Sequence, residues 1–225
     1  MHPGGDTGAE AHLRGKGNLG NTIGNPLETT IFVSHLIYEG TLDKFPGVKI
    51  CCAHAGGYLP SYMGRTDGAC VRQPDACSSK KRPVDEYFKT QIMWVDDFWG
   101  DAAWEQWERE FAKVMPPPDY IIEDVPLSDP IFHSMFEVKH VPQVSNIRFW
   151  RTTGGASTSE RGAESAVVHF RAVRDKHRRI VAVMTHNTDI SDSWEREGDD
   201  PRFFQQFAPD GYALGINVVL YALTH

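Results

Sequence analysis

Short apolar runs that follow amphipathic segments set the fold class of this chain. Residues 28–45 carry apolar side chains at roughly helical spacing, and Phe45-Pro46-Gly47 ends that helix before a short buried run at 48–54. A second apolar run at 92–95 precedes a helix over 101–115 with an apolar stripe. Because a helix followed by a strand is typical of parallel sheets, we predict an α/β protein.

The remaining elements follow from the same patterns. Periodicity predicts helices over residues 58–71 and 210–223, and a strand over 180–184. Glycine, serine and threonine are frequent between these elements, most clearly at 152–162, which predicts a loop. No internal repeat is visible.

Charge and cysteine divide the chain near residue 94. The 225 residues carry 23 Lys and Arg against 30 Asp and Glu, a net charge of −7. Residues 1–93 hold ten basic against nine acidic side chains, and 94–225 hold 13 against 21. All four cysteines precede residue 94: Cys51, Cys52, Cys70 and Cys77. Adjacent cysteines in an apolar run predict packing thiols rather than a disulfide framework or a zinc site.

The acidic balance and the absence of long apolar runs limit the classes of partner. A nucleic-acid-binding surface needs basic residues that displace phosphate counterions, so we expect no nucleic-acid partner. No stretch approaches the roughly 20 apolar residues that span a bilayer, and the first residues lack the basic and apolar regions of a secretory signal. We therefore expect a cytoplasmic protein with no membrane partner.

Four short motifs in residues 1–93 resemble one enzyme superfamily. They are Gly24-Asn25-Pro26-Leu27-Glu28-Thr29-Thr30, Phe45-Pro46-Gly47-Val48-Lys49, Ala53-His54-Ala55-Gly56-Gly57 and Gly64-Arg65. In this order they resemble the metal-dependent amidohydrolases, in particular the amino-carboxymuconate-semialdehyde decarboxylase-like branch. The resemblance implies a fragment of a (β/α)8 TIM barrel, with its site at the carboxyl ends of the strands.

The same resemblance implies roles for three residues. His2 looks like a ligand of a divalent zinc or manganese ion, and His54 like the histidine that activates metal-bound water. Arg65 looks like the arginine that holds the carboxylate of a small substrate, often across a subunit interface, which allows a homo-oligomer. The residues alone also allow plainer roles: a buried hydrogen-bonded His54, a terminal His2 and a surface Arg65.

Several family features are missing from these residues. No two histidines are separated by one residue, and no segment corresponds to the last strand with its aspartate ligand. Residues 1–93 hold about three βα units, whereas a barrel needs eight. One of the four protein ligands remains, which predicts a chain without the family's metal-dependent hydrolysis or decarboxylation.

Residues 94–225 resemble a different, bacterial family, domain of unknown function 4159. Four segments carry the resemblance: Trp94-Val95-Asp96-Asp97-Phe98-Trp99-Gly100, Leu127-Ser128-Asp129-Pro130-Ile131-Phe132-His133, Ile190-Ser191-Asp192-Ser193-Trp194, and residues 215–224. It implies a partial flavodoxin-like, class I glutamine-amidotransferase-like parallel-sheet domain that lacks its beginning. Residues 94–225 contain neither cysteine nor Gly-x-Ser-x-Gly, which excludes glutamine hydrolysis and gives a serine nucleophile no support.

Polar residues follow two of the predicted strands in this second half. They are Asp96, Asp97, His186, Asp189 and Asp192. Open α/β sheets bind ligands at the carboxyl ends of their strands, so this set is a candidate cation site. Aspartates also cap helices and complete turns, and that alternative stays open.

The two resemblances meet inside one apolar string at residues 92–97. Three hypotheses follow for the whole chain. It is an amidohydrolase-related hydrolase or decarboxylase, an α/β binding or interaction module built on 94–225, or a hybrid reading frame with no independent function. Because domain boundaries normally fall in exposed linkers rather than in a strand, the junction favours a hybrid origin.

Overall fold

The structure is a computed structural model that describes residues 12–225, in which the chain forms two compact units. The division falls after Val95, inside the strand Ile92–Phe98. Unit 1 comprises the residues up to Val95, and unit 2 comprises Asp96–His225.

Unit 1 contains helices around a short parallel strand pair. The helices are α1 (Asn25–Tyr38), α2 (Thr41–Lys44), α3 (Leu59–Arg72) and α4 (Val84–Thr90), and the strands are β1 (Ile50–Cys52) and the beginning of β2 (Ile92–Phe98). Ile50 is aligned with Ile92 and Cys52 with Trp94 in parallel register. Val33, Ile37 and Phe88 are buried in the core of this unit.

The prediction of one helix over residues 28–45 is wrong, because two helices form there. Gly40 separates α1 from α2 and adopts a left-handed backbone with φ of 74°. A Cβ at this position would lie 2.8 Å from the carbonyl oxygen of Ser79. Apolar spacing continues across the break because both helices pack against the same core, and periodicity therefore does not reveal it.

The prediction about the cysteines holds for one pair and is wrong for the other. Cys51 and Cys52 are free thiols in β1, and burial raises the pKa of Cys51 to about 11 and that of Cys52 to about 12. Cys70 and Cys77 form a disulfide with their Cα atoms 5.5 Å apart. The end of α3 and the 3₁₀ turn Pro74–Cys77 reverse the chain, which brings the two side chains together.

Unit 2 combines helices with a mixed sheet. Its further strands are β3 (Ile121–Asp124), β4 (His169–Arg174) and β5 (Ile180–His186), and its helices are α5 (Asp101–Val114), α6 (Ile147–Thr152), α7 (Asp192–Glu195) and α8 (Pro201–Thr224). The strand order is β2, β5, β4, β3. Every residue of β5 is buried, which places this strand at the centre of the core.

The expected parallel sheet is corrected to a mixed one. β4 runs antiparallel to both β3 and β5. A tight turn joins β4 to β5, in which the Asp175 carboxylate accepts hydrogen bonds from the backbone N–H groups of His177 and Arg179. Because so short a connection reverses the chain, the two strands pair antiparallel.

The last helix is longer than predicted. α8 begins at Pro201, after the Asp200 carboxylate accepts a hydrogen bond from the backbone N–H of Arg202. Leu214, Val218 and Tyr221, which recur at helical spacing along it, are buried, as expected for a helix against a core. Within residues 12–225, no helix has the length and hydropathy needed to cross a membrane.

Candidate binding site

His54 lies in a constrained turn directly after β1. Four successive residues adopt positive φ: His54 (53°), Ala55 (46°), Gly56 (79°) and Gly57 (68°). The His54 Nδ1 atom is 2.9 Å from the hydroxyl oxygen of buried Thr29 at the start of α1. A histidine and an alanine in this region store strain, and such turns are frequent at functional sites.

Of the other two residues of the expected catalytic site, the structure describes Arg65. Arg65 lies exposed on α3, and His2 falls outside the described residues. Across residues 12–225, no group of three or more His, Cys, Asp or Glu side chains is placed to hold a metal ion. The described residues therefore do not fit the divalent metal that the resemblance implies.

Unit 2 brings together five carboxyl groups, which we call the carboxyl cluster: Asp96, Asp97, Glu160, Asp189 and Asp192. Two come from the end of β2, one from the loop after α6, and two from the segment after β5. Asp189 is central, since its charge acts on each of the other four carboxyls.

Backbone hydrogen bonds hold the segment after β5 in place. Asn187 adopts φ of 63°, and its backbone N–H donates to the Phe98 carbonyl oxygen at 2.6 Å. Its side-chain oxygen accepts from the Gly100 N–H at 2.8 Å. The Asp189 carboxylate in turn accepts from the Ser191 hydroxyl at 2.6 Å and from the backbone N–H of Asp192 at 3.2 Å. Asp189 therefore has a turn-forming role as well as a place in the cluster.

The electrostatics of the cluster disfavour full ionisation. Burial, together with repulsion from Asp189, raises the pKa of Asp96 to about 7 and that of Asp192 to about 7. Burial and repulsion from the other four carboxyls raise the pKa of Asp97 well above its usual range.

Two buried polar atoms, one in the cluster and one beside it, lack a hydrogen-bond partner among the described residues. They are the Oδ2 atom of Asp192, a residue with 4% exposure, and the hydroxyl oxygen of Ser145, a residue with 0% exposure. Ser145 stands between Val144, whose carbonyl accepts from the Asp189 N–H, and Asn146, whose N–H donates to Glu160 at 2.5 Å. Buried polar atoms are normally satisfied, so both atoms point to a missing partner, which for the Asp192 carboxylate oxygen is a donor.

His186, the fifth residue of the predicted polar set, makes its contacts elsewhere. Its ring stacks on those of Trp104 and His169, with centroids 5.7 and 5.4 Å away. The Nδ1 atom is 3.0 Å from an Arg171 guanidinium nitrogen, and burial and that charge lower the pKa of His186. Nε2 is 3.7 Å from the Asp101 carboxylate. Glu160 joins the cluster although sequence reasoning did not select it.

Strands that alternate with helices place both units in the α/β class, with a mixed sheet in unit 2. The sequence pattern of Domain of unknown function (DUF4159) matches residues 79–223, well over half of the chain. The chain therefore belongs to the DUF4159 family. The match begins inside unit 1, ahead of the division after Val95.

A second similarity covers a smaller part of the chain. It is 31% identical over 74 residues to the 2-amino-3-carboxymuconate-6-semialdehyde decarboxylase of Dictyostelium discoideum, and 30% identical over 74 residues to that of Caenorhabditis elegans. These matches cover 33% of this chain and 20% and 18% of the two enzymes. The chain thus spans about a fifth of the length of the curated relatives that it matches.

Two solved structures are similar to part of the chain. The 5-carboxyvanillate decarboxylase LigW of Sphingomonas paucimobilis gives a TM-score of 0.42 at 22% identity, over 52% of this chain and 35% of that one. The 5-carboxyvanillate decarboxylase of Novosphingobium aromaticivorans, complexed with manganese and 4-hydroxy-3-methoxy-5-nitrobenzoic acid, gives 0.37 at 27% identity. That similarity covers 49% of this chain and 31% of that enzyme.

Proposed function

We propose that this chain is a ligand-binding protein rather than an active decarboxylase, and that residues 94–225 form the binding module. One observation carries the proposal. Five carboxyls from three separate segments meet at the ends of β2 and β5; one of them has a buried oxygen without a hydrogen-bond partner, and a buried hydroxyl beside them also lacks one. Ligands of open α/β sheets bind at such strand ends.

The decarboxylase-like segment supports the negative part of the proposal. Metal-dependent hydrolysis or decarboxylation of a small carboxylate requires several protein ligands and a base beside the metal-bound water. His54 is suited to the role of the base, but in the structure its Nδ1 atom lies against Thr29, and no ligand set forms within residues 12–225. Exposed Arg65 is suited to holding a carboxylate without turnover.

An activity assay on the full chain tests this proposal. The purified protein is loaded with Mn²⁺ or Zn²⁺ and incubated with 5-carboxyvanillate or with the semialdehyde substrate of the curated relatives, and carbon dioxide release is measured. We expect release at the rate of the protein-free control. Release that depends on metal and is abolished by His54→Ala would overturn the proposal.

A further inference from the structure

We propose that the carboxyl cluster binds an organic cation with at least two ammonium groups, of which a linear oligoamine is the simplest. The inference rests on the proposed function, because it assigns a class of ligand to the same module. It depends on the charge balance of the cluster, on the two unsatisfied buried atoms and on the spread of the carboxyls over separate segments.

The charge balance sets the number of positive groups that the ligand must carry. Arg196 lies 3.6 Å from the Asp192 carboxylate, and Arg161 attracts Glu160. Asp96, Asp97 and Asp189 have no cationic side chain in contact within the described chain. When these three carboxyls ionise, they repel one another, and one positive charge leaves most of that repulsion in place.

The donor arrangement favours an organic cation over a metal ion. A metal ion needs several oxygens that converge on one point, and residues 12–225 contain no such group. The carboxyls come from three segments of the chain, the end of β2, the loop after α6 and the segment after β5. A flexible chain with an ammonium group at each end can place donors on carboxyls from different segments, and each ammonium donates up to three hydrogen bonds.

The two unsatisfied atoms match the same ligand. The Asp192 Oδ2 atom and the Ser145 hydroxyl oxygen are both able to accept a hydrogen bond, and neither receives one from the described residues. An anionic ligand would be repelled by Asp192 and would leave its Oδ2 atom unsatisfied. An N–H donor satisfies both atoms and neutralises carboxyl charge at the same time.

Isothermal titration calorimetry of the full chain at pH 8 tests the inference. The probes are spermidine, 1,4-diaminobutane, Mg²⁺ and Mn²⁺. We expect spermidine to bind at one site, to bind more tightly than 1,4-diaminobutane, and to retain its affinity in the presence of either metal. Asp97→Asn keeps the shape of the side chain and removes its charge, so we expect it to weaken spermidine binding by about tenfold or more.

Asp119→Asn is the matched control, because it makes the same chemical change at an exposed position outside the cluster. It should leave the affinity unchanged. Should Asp97→Asn not fold, Asp96→Asn supplies the same test from the neighbouring residue. Equal spermidine affinity in wild type and a folded cluster variant, no spermidine binding at all, or displacement of spermidine by Mg²⁺ would each overturn the inference. Because none of these outcomes involves carbon dioxide release, failure here is distinguishable from failure of the proposed function.

Discussion

The carboxyl cluster predicts an inverted pH dependence of stability for unit 2. Asp96 and Asp192 have folded-state pKa values of about 7, above the ordinary value of 3.8. The folded chain therefore holds protons more tightly than the unfolded chain between these values. The stability linked to this difference is present at acidic pH and is lost as the pH rises through about 7.

The magnitude follows from the same pKa values. Between pH 5 and pH 8, one carboxyl whose pKa rises from 3.8 to about 7 on folding changes the free energy of unfolding by about 2.5 kcal/mol. The groups interact, so their effects do not add independently, and about 3 kcal/mol is the expected total. His186 acts in the opposite direction, because its lowered pKa destabilises the folded state at acidic pH.

Wild type and Asp97→Asn both contain His186, so its contribution to the pH dependence cancels when the two proteins are compared. Loss of the Asp97 charge should stabilise unit 2 at pH 8 by about 1–2 kcal/mol and have a smaller effect at pH 5. Hydrogen–deuterium exchange of amides in β5, corrected for the intrinsic pH dependence of exchange, measures the free energy of opening in this unit. Asp119→Asn should change neither value.

A result of the opposite sign would refute this reasoning. If Asp97→Asn destabilised unit 2 equally at both pH values, Asp97 would have a structural role independent of its charge. If the free energy of unfolding changed between pH 5 and pH 8 by the same amount in the wild type and in Asp97→Asn, the cluster would not control the pH dependence.

Three further predictions concern unit 1 and are checked by thermal or chemical unfolding of the full chain. Gly57→Ala should destabilise the chain by about 3 kcal/mol, since φ is 68° and a Cβ would lie 2.3 Å from a backbone oxygen; an unchanged midpoint would contradict the described turn. Thr29→Val should cost about 1–2 kcal/mol and shift the ring resonances of His54, whereas unchanged resonances would place His54 elsewhere. Replacing Cys70 and Cys77 with serine should cost about 2 kcal/mol, and four thiols in the unreduced, denatured wild type, instead of the two of Cys51 and Cys52, would contradict the disulfide.

Local patterns predicted much of the secondary structure. The helix expected over 58–71 is α3 (Leu59–Arg72), and that expected over 101–115 is α5 (Asp101–Val114). The apolar run at 180–184 is the core of β5. These elements bury one face or both, so their side-chain spacing reports directly on structure.

Features that depend on distant residues were not predictable in the same way. The pairing of β4 with β3 and β5, which makes the sheet mixed, is not encoded in the spacing within any one strand. The disulfide depends on how the chain turns after α3. Both features are set by tertiary geometry, which local propensity does not specify.

The candidate site also combines residues that local patterns selected with residues that depend on tertiary geometry. The rule that ligands bind at strand ends selected Asp96, Asp97, Asp189 and Asp192, and the charges of the other three act on Asp97; their role in binding stays a prediction. His186 lies opposite His169 in the β4–β5 register, so its ring stacks there. Glu160 comes from a polar loop whose position depends on a backbone hydrogen bond to Asn146, and no sequence pattern marked it.

Amide chemical shifts of the full chain during a spermidine titration test the central claim most directly, because they report binding and location together. We predict saturable shifts confined to the cluster, at residues 96–97, 144–146, 160 and 189–192, with none at His54 or Arg65. Saturable shifts centred on His54 and Arg65, or no saturable shift anywhere, would contradict the claim that unit 2 contains the ligand site.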